Sequence, residues 1–429
     1  MKVLVIGAGG REHALVARCA KEVGPANVLA APGNPGMAAQ ARLVPVHASQ
    51  PDDVLALVER EGVDLTIVGP EQPLSVGLVD RFEAAGKLIL GPTQAAARLE
   101  TSKAFAKSFM RRHAVPTARF VTCDTADAAL DLARRGEFGF PLVLKADGLA
   151  AGKGVVIAAD LASAEAAIQE MMIDRRFGGA GERLVIEECL SGPEVSFFVL
   201  CDGTRALPLG TAQDHKRIFD GDRGPNTGGM GAFAPSPLMD APQHDRVMHE
   251  IVEPALKGMA DEGCPFNGFL YVGLMLTSDG PKVIEFNVRF GDPEAQVVLS
   301  LIDQPLLPLL EAAARGALGT DAVRLAPETR VGVTIASRGY PETSESGRVI
   351  TGLEPASALP GVTVFHAGTA QKGEDIVTAG GRVLTVVGAG TDYEQAIARA
   401  YEGVALISFD GMQYRRDIGQ KALAASRRA

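Results

Sequence analysis

The sequence predicts an α/β protein of several domains that begins with a parallel sheet. The chain has 429 residues, of which 46% are hydrophobic, enough for about two to four packed cores rather than one. Short apolar runs alternate with helical patterns over residues 1–95, an order typical of parallel strands joined by right-handed crossovers. Between Pro193 and Gln296 the pattern instead indicates antiparallel strands around one helix.

The composition of the chain limits the kinds of partner and the compartment that we expect for the protein. The net charge of −10 argues against a nucleic-acid partner or an anionic membrane surface. The five cysteines form no CxxC pair, which is typical of a reduced cytoplasmic protein and makes structural zinc improbable. The first residues resemble a strand and a turn rather than a signal peptide, and no apolar run reaches the ~18 residues of a membrane helix. We therefore expect a cytoplasmic protein without membrane or nucleic-acid partners.

The N-terminal part shows a strand, a glycine-rich turn and a helix in succession. Strands are predicted at 3–6, 28–31, 65–68 and 88–90, with helices at 11–22, 52–61 and 75–85. In the turn, backbone amides at Gly9 and Gly10 would point at an anion, which makes both glycines candidate substrate contacts. A dinucleotide fingerprint fails because Glu12 replaces its third glycine and Ala31 replaces the ribose-binding acid. The alternative is a tight turn without a ligand.

A second glycine-rich segment, KADGLAAGKG at 145–154, joins the predicted strands 142–145 and 155–158. Its glycines, which include Gly152 and Gly154, would let the backbone approach a polyphosphate, while Lys145 and Lys153 supply charge at either end. The spacing does not match a Walker A loop. We predict a hairpin with a mobile tip in a small lid near 117–190; the alternative is an ordinary hairpin turn. Before it, Thr101 and Ser102 can cap a basic helix that runs to about Arg112.

The apolar strand that follows ends in two acids, Glu187 and Glu188. In the functional interpretation, this strand end and the backbone up to Leu190 meet an adenine edge, and Glu194 takes the ribose hydroxyls. The alternative is a solvated sheet edge.

A third glycine-rich loop, GPNTGGMG at 224–231, follows the polar run QDHKR at 213–217. Small residues with exposed amides beside charged side chains suit a phosphorylated substrate, and long loops within compact domains are usually functional. The alternative is a flexible surface loop. The candidate substrate contacts are Asp214, Lys216, Asn226, Gly228, Gly229 and Met230.

The strongest signal is the run KVIEFNVRFGDPE at 282–294. Side chains alternate on a strand, so Glu285, Asn287 and Arg289 would share one face, while Ile284 and its alternates Phe286 and Val288 would be core. Carboxylate and amide oxygens suit Mg²⁺ bound to ATP phosphates, and the arginine would stabilise a transferring phosphoryl group. Asp292 closes the run as a candidate substrate contact. The alternative is a half-exposed strand with an ion pair.

These residues resemble the phosphoribosylamine–glycine ligases (glycinamide ribonucleotide synthetases), a family of the ATP-grasp superfamily. The resemblance spans nearly the whole chain. It is carried by the motifs GAGGREHAL, APGN, TIVGPE, KADGLAAGKGV, QDHKR, GPNTGGMGA, EFNVRFGDPE, VFHAGT, GGRVL and RRDIG.

The resemblance implies an ATP-grasp fold of two lobes that clasp ATP, with a lid that closes over the phosphates. It implies that Lys103 and Lys145 contact phosphates, that Glu188 lies in the hinge strand, and that Glu285 and Asn287 bind Mg²⁺ or Mn²⁺. Many ATP-grasp enzymes add a metal ligand on the preceding strand. Here the segment 273–277 has no carboxylate, which leaves Asp279 or water to complete the coordination.

The implied reaction joins glycine to 5-phosphoribosylamine. The glycine carboxylate attacks the γ-phosphorus of ATP, and the sugar amine then attacks the acyl phosphate, giving ADP, phosphate and glycinamide ribonucleotide. We expect Arg289, Lys145 and Asp214 to act in catalysis. The runner-up function is another purine-pathway ATP-grasp carboxylase or transformylase.

Three domains are predicted along the chain. They are an N-terminal substrate-binding domain at 1–100, an ATP-grasp domain at 101–327 that includes the lid, and a small C-terminal domain at 328–429. The expected partners are the small-molecule substrates, and the expected oligomeric state is a monomer, with a dimer as the alternative.

Overall fold

The computed structural model describes residues 1–149, 154–320 and 322–427. Its N-terminal part is a five-stranded sheet in the order β3-β2-β1-β4-β5, with every neighbouring pair parallel. The strands are β1 (Val3–Gly7), β2 (Val28–Pro32), β3 (Arg42–Leu43), β4 (Leu65–Val68) and β5 (Ile89–Leu90). The helices are α1 (Gly10–Val23), α2 (Pro51–Glu61), α3 (Glu71–Ser75), α4 (Leu78–Ala84) and α5 (Gln94–Thr101). The predicted parallel sheet is confirmed.

The central strands of this sheet are apolar because helices cover both faces. All five residues of β1 and all four of β4 are buried, which explains why they form continuous hydrophobic runs. The helix predicted over 75–85 is present as α4, which begins at Leu78. Ser75 instead ends the separate helix α3, because Gly77 takes a left-handed conformation (φ 80°) between the two helices, which a continuous helix does not allow.

The next segment forms a helix and a four-stranded sheet with the order β6-β9-β7-β8. The elements are α6 (Lys103–Arg112), β6 (Phe120–Cys123), α7 (Ala126–Arg135), β7 (Leu142–Ala146), β8 (Val155–Ala158), α8 (Leu161–Ile168) and β9 (Leu184–Glu188). We call residues 117–190 the lid. Its predicted hairpin is formed, since β7 and β8 pair antiparallel from Leu142↔Ala158 to Lys145↔Val155. The cap of α6 is Ser102, whose Oγ accepts the Phe105 amide at 3.1 Å, whereas Thr101 ends α5.

The rest of the chain builds one eight-stranded antiparallel sheet in the order β16-β15-β10-β11-β14-β17-β21-β18. Its first half contains β10 (Glu194–Asp202), β11 (Ala206–Asp214), β12 (Arg217–Phe219), β13 (Arg223–Asn226), β14 (Gly231–Ala234), α9 (Ala241–Val247), α10 (Glu253–Asp261), β15 (Asn267–Thr277), β16 (Gly280–Asn287), α11 (Glu294–Val298) and α12 (Leu307–Ala314). The short strands β12 and β13 pair only with each other and project as a hairpin.

Three strands of the last hundred residues continue this sheet, and two others pair only with each other. These residues contain β17 (Thr329–Ala336), α13 (Leu353–Ser357), β18 (Val362–His366), β19 (Thr369–Lys372), β20 (Asp375–Thr378), β21 (Arg382–Gly390), α14 (Tyr393–Leu406) and α15 (Gln420–Ser426). The join is the antiparallel pair β14–β17. The C-terminal residues are therefore held directly beside the glycine-rich loop that precedes β14. The predicted domain boundaries stay a prediction.

Two large cores tie these parts together. One contains Phe82 of the N-terminal sheet, Phe109 of α6 and Phe286 of β16, and in the other Phe198 stacks on Phe290 with ring centroids 4.6 Å apart. Because residues distant in sequence share these cores, the strand β16 is rigidly placed against the N-terminal sheet and α6. Within the described residues, we find no helix with both the length and the apolar character needed to cross a bilayer.

Candidate active site

The metal-binding prediction rests on the end of β16. The side chains of Phe286 and Val288 are each 1% exposed, whereas Glu285 and Asn287 are partly exposed, so the predicted alternation is present. Glu285 lies opposite Gly273 of β15, where the absence of a side chain leaves room beside the carboxylate.

Ile284 departs from the expectation that it is core. It is only partly buried, because the pairing of β15 with β16 shifts between Gly273 and Leu274 and places a bulge at this point. A bulge rotates the residues on either side of it relative to the sheet. Here it turns the Ile284 carbonyl toward Lys145, whose Nζ donates to it at 3.0 Å.

The surroundings of Glu285 favour its ionised form. Burial acts to raise the pKa of this carboxyl group, but nearby cations prevail and lower it. In decreasing order of effect, these cations include Lys216, Lys145 and Lys103. An ionised carboxylate next to an amide oxygen is a suitable donor pair for Mg²⁺ or Mn²⁺.

The described residues contain no group of three or more His, Cys, Asp or Glu side chains that could hold a metal by themselves. Two protein oxygens therefore suit an ion that takes its remaining ligands from phosphate and water, as Mg²⁺ commonly does. Asp279 is not available as a third ligand. It lies in the turn at the far end of the β15–β16 hairpin, six residues and about 20 Å of strand from Glu285, is 76% exposed, and pairs with Lys282 at 3.5 Å.

Both lysines expected at the phosphates lie beside this strand. Lys103 begins α6, and its Nζ donates to the Gly148 carbonyl of the lid at 3.0 Å. Burial lowers the pKa of Lys103, with Glu285 opposing this effect. Lys145 also lies 3.0 Å from a carboxylate oxygen of Glu187. Both predicted lysines thus lie close enough to Glu285 to lower its pKa.

The lid loop is close-packed where it is described. Gly148 has φ +146°, and a Cβ there would stand 2.8 Å from the Ala180 side chain, so this position favours glycine on two counts. The Gly154 carbonyl accepts the Ala146 amide at 2.9 Å and closes the base of the hairpin. Two further candidates for phosphate binding, Gly152 and Lys153, lie outside the described residues.

The strand end at Glu187 and Glu188 differs from its predicted form. Glu187 is 3% exposed and lies between two lysines, so it holds cations rather than facing solvent. Glu188 accepts the Arg119 amide at 2.9 Å and its guanidinium at 2.7 Å. Although burial opposes it, these contacts lower the pKa of Glu188. The sheet ladder ends at Glu188, and the partly exposed Leu190 follows.

Asp214, Lys216 and Glu194 form a charged group near Glu285 of β16. Glu194 is exposed and accepts the Lys216 ammonium at 2.8 Å. Burial raises the pKa of Asp214, with Lys216 opposing and Glu294 and Glu285 reinforcing this effect. A carboxyl group whose pKa is raised toward neutrality is suited to accept a proton during a reaction.

The glycine-rich loop 224–231 is joined to the backbone of Lys216. Both the amide and the hydroxyl of Thr227 donate to the Lys216 carbonyl, at 2.7 and 2.8 Å, and the Gly229 amide donates to the Thr227 hydroxyl at 3.0 Å. Gly229 has φ +116°, and a Cβ there would stand 2.5 Å from Pro293. Asn226 is partly exposed at the end of the β12–β13 hairpin.

Met230 was predicted to contact the substrate, but it is packed beneath the glycine-rich loop. Its side chain is fully buried, its amide donates to the His215 carbonyl at 2.8 Å, and its carbonyl accepts the Thr334 amide at 3.0 Å. These contacts give Met230 a packing role beneath the loop. Its contact with a substrate stays a prediction.

The amides of the N-terminal turn were predicted to be open to an anion, but carboxylates of the protein already bind them. The Gly9 amide donates to the Glu12 carboxylate at 2.6 Å, and the Arg11 amide points at Asp292 at 3.3 Å. A Cβ at Gly9 or Gly10 would stand 3.3 or 3.6 Å from oxygens of Asp292. The structure therefore brings Gly9, Gly10 and Asp292 together as predicted. However, carboxylates already occupy the positive end of α1, which disfavours a further anion there.

Arg289 is held by two carboxylates of the N-terminal part. Its Nε lies 3.2 Å from Glu71 and its Nη2 lies 3.0 Å from Glu100. Glu100 also accepts the Val288 amide at 2.7 Å. The guanidinium thus connects the N-terminal helices to the segment after β16. Its role at a phosphoryl group stays a prediction.

Three side chains that touch the site are not among the residues predicted from the sequence. The Arg382 guanidinium donates to the Gly228 carbonyl at 2.6 Å, and the Tyr340 hydroxyl accepts the Gly228 amide at 2.9 Å. The third is Lys107, which pairs with Glu187 at 2.8 Å. A signal existed for Lys107, because it stands four residues after Lys103 and so on the same face of a helix.

Comparisons with known proteins agree along the whole chain. Sequence profiles of phosphoribosylglycinamide synthetase match as its N domain over residues 1–100, its ATP-grasp (A) domain over 101–295 and its C domain over 330–421. A phosphoribosylamine–glycine ligase of Xanthomonas campestris is 52% identical, with 100% of each chain covered. One of Neisseria meningitidis serogroup A is 50% identical and covers 99% of this chain and 100% of the relative.

Two solved structures extend the comparison. The crystal structure of a phosphoribosylamine–glycine ligase from Thermotoga maritima superimposes with a TM-score of 0.86 at 34% identity, covering 97% of this chain and all of the other. The complex of a biotin carboxylase from Campylobacter jejuni with β-γ-ATP has a TM-score of 0.74 at 18% identity, with 98% and 93% of the two chains covered. The second likeness concerns the fold alone.

Proposed function

The chain belongs to the phosphoribosylamine–glycine ligase family, and from this membership we infer its reaction. It is an ATP-dependent ligase that joins glycine to 5-phosphoribosylamine and produces glycinamide ribonucleotide in purine biosynthesis. ATP is the energy source and a divalent metal accompanies it. The roles that follow for individual residues are our proposal, and so is the choice of Mg²⁺ or Mn²⁺ as the metal.

The first chemical problem is that the glycine carboxylate must approach the γ-phosphate of ATP although both are anions. Lys103 and Lys145 converge on the cleft beside Glu285, and their charge would offset this repulsion and fix the polyphosphate. Glu285 and Asn287 would hold the metal, which supplies further positive charge to the phosphates when bound. The products of this step are ADP and glycyl phosphate.

The nucleoside would lie along the end of β9. The backbone of Glu188 to Leu190 leaves the sheet ladder there, and we propose that it pairs with the adenine edge. Glu194 is exposed and would accept the ribose hydroxyls, exchanging its present contact with Lys216. Gly154, together with Gly152 and Lys153 of the lid loop, would cover the phosphates and limit hydrolysis of the acyl phosphate.

The amino sugar would lie between the glycine-rich loop and the N-terminal turn. We assign its contacts to Gly9, Gly10, Asn226, Gly228 and Gly229, with Asp292 beneath them. As the sugar amine attacks the acyl carbonyl it loses a proton, and phosphate leaves. Asp214, whose pKa burial raises, would accept that proton, and Lys216 beside it would stabilise the negative charge that develops on the acyl oxygen.

We place the enzyme in the cytoplasm, acting on small molecules as a monomer, with a dimer as the alternative. Free cysteines support this compartment, because all five are unpaired and a reducing environment keeps them so.

The residue assignment rests on one arrangement: Lys145 donates to the carbonyl of Ile284, the residue before Glu285, and nearby cations, led by Lys216 and followed by Lys145 and Lys103, lower the pKa of Glu285. The test is a coupled assay for ADP release with 5-phosphoribosylamine in three arms, containing glycine, formate or bicarbonate. We expect release with glycine alone. Release with formate or bicarbonate in place of glycine would instead support the transformylase or carboxylase alternative.

A further inference from the structure

Lys107 is an almost fully buried lysine that the reaction as described does not use. It lies on α6 one turn after Lys103 and is 2% exposed. Its Nζ lies 2.8 Å from Oε2 of Glu187 and donates to the Thr117 hydroxyl at 2.7 Å. Fully buried lysines are rare unless a charge pairs with them, so this position needs the carboxylate of Glu187.

Glu187 is shared between two lysines. Its second oxygen lies 3.0 Å from the Nζ of Lys145, and Glu187 and Lys145 are themselves 3% and 5% exposed. The three side chains therefore form a buried row, Lys107–Glu187–Lys145, with two positive charges around one negative charge. We call it the buried triad. The triad has a net charge of +1, and among the described residues no further carboxylate contacts it.

The buried triad also joins three parts of the structure. Lys107 belongs to α6, while Glu187 and Lys145 belong to the lid strands β9 and β7. At one end the Thr117 hydroxyl donates to the Val283 carbonyl at 2.7 Å, and at the other Lys145 donates to the Ile284 carbonyl at 3.0 Å. These two consecutive carbonyls lie just before Glu285. The triad therefore fixes the lid strands against β16.

We propose that Lys107 is a positioning residue for nucleotide binding: by satisfying one oxygen of Glu187, it leaves the positive charge of Lys145 available to the ATP phosphates. This inference rests on the proposed function, because it assumes that Lys145 faces the nucleotide. Without Lys107, Glu187 and Lys145 would form a neutral pair. An approaching polyphosphate would then compete with Glu187 for the same ammonium group.

The charge state of Lys107 is consistent with this role. Burial lowers its pKa to about 8, although Glu187 opposes the shift. Lysine is then still largely protonated at neutral pH. It is held in place by a carboxylate and a hydroxyl, with no freedom to reach the nucleotide itself.

The net charge of the buried triad in different variants distinguishes a charge role of Lys107 from a packing role. The buried triad has a net charge of +1 in the wild type, 0 in Lys107→Met, +2 in Glu187→Gln, and +1 again in the double variant. A packing role for Lys107 predicts that the two substitutions add their losses. The charge role predicts that the second substitution repairs the first, because Lys145 regains its surplus charge.

The experiment is isothermal titration calorimetry of Mg²⁺ with a non-hydrolysable ATP analogue in the full-length protein. We expect Lys107→Met to weaken binding by roughly tenfold to a hundredfold, the range that one unit of buried charge a few ångströms away can produce. The double variant should return to within about threefold of the wild type. Arg111→Met, which removes an exposed cation of the same helix, is the matched control and should bind like the wild type.

The steady-state readout is a rise of the ATP KM with kcat for glycine-dependent turnover largely kept. Unchanged affinity in Lys107→Met, or a double variant weaker than Lys107→Met, would overturn the proposal. If Lys107→Met melts below the assay temperature, the double variant decides alone, since it lacks the buried carboxylate that Lys107 pairs with and keeps the positive charge of Lys145. Binding is measured without glycine or amino sugar, so a failure of the proposed reaction would appear separately, in the wild-type turnover.

Discussion

Replacing Arg289 with methionine is expected to destabilise the protein by about 3 kcal/mol. The guanidinium pairs with Glu100, whose side chain is 8% exposed, and with Glu71, which is 33% exposed. The pair with Glu71 contributes little because water screens it. Removing the partner of a buried charge typically costs about 3–5 kcal/mol. The lower end applies here, because Glu100 keeps its bond from the Val288 amide and burial raises its pKa, so it can take up a proton.

Differential scanning calorimetry converts this loss into a temperature. For 429 residues, an unfolding entropy of about 0.9 kcal/mol/K follows from the usual value per residue, so 3 kcal/mol lowers Tm by about 3 °C. Adding Glu100→Gln removes the stranded charge and should recover about 2 °C. A change below 1 °C in the single variant, or no recovery in the double variant, would refute the ion-pair account. If Arg289 also acts on the phosphoryl group, the double variant regains Tm but not kcat.

Three further outcomes are expected. Burial lowers the pKa of His13 to about 3 and that of His366 to about 4. Below pH 6.5 the unfolded chain therefore binds more protons than the folded chain. The stability that these neutral rings contribute falls as pH decreases, by roughly 2 kcal/mol each at pH 5. Chemical denaturation from pH 7 to 5 should show this slope, and His366→Gln should reduce it; an unchanged slope would contradict the assignment. Gly229→Ala should raise the KM for 5-phosphoribosylamine about tenfold and leave the KM for ATP unchanged, because its added Cβ meets Pro293 at 2.5 Å. The control is Gly263→Ala, which is also at positive φ but has no atom within 4 Å of the added Cβ. It should leave both KM values unaffected. Lys103→Met should raise the ATP KM at least tenfold, and an unchanged value would remove Lys103 from the phosphate site.

The elements that sequence predicts well are those whose pattern is local. The buried strands β1 and β4 are continuous apolar runs, and the turn after β1 is marked by glycines. The alternation at Glu285 and Asn287 likewise follows from strand geometry alone. The bulge at Ile284 does not, because it depends on the register with β15, which the sequence of β16 does not contain.

Contacts between distant segments limited the prediction of the site. The turn at Gly9 was expected to be open to an anion, but Asp292 packs against it across 281 residues of sequence from Arg11. Arg382 reaches Gly228 across 154 residues, and only the continuation of the sheet from β14 to β17 brings them together. Lys107 could have been found from its helical spacing to Lys103, yet its partner Glu187 depends on how the lid docks.

The central claim is that Glu285 and Asn287 hold the metal that accompanies ATP in the cleft of Lys103 and Lys145. The most direct measurement is glycine-dependent ADP release by Glu285→Ala at saturating Mg²⁺ or Mn²⁺, with Asp279→Ala as the control for loss of a carboxylate elsewhere in the same hairpin. We predict a folded Glu285→Ala protein with negligible release and an Asp279→Ala protein with wild-type release. Normal turnover by Glu285→Ala would contradict the account.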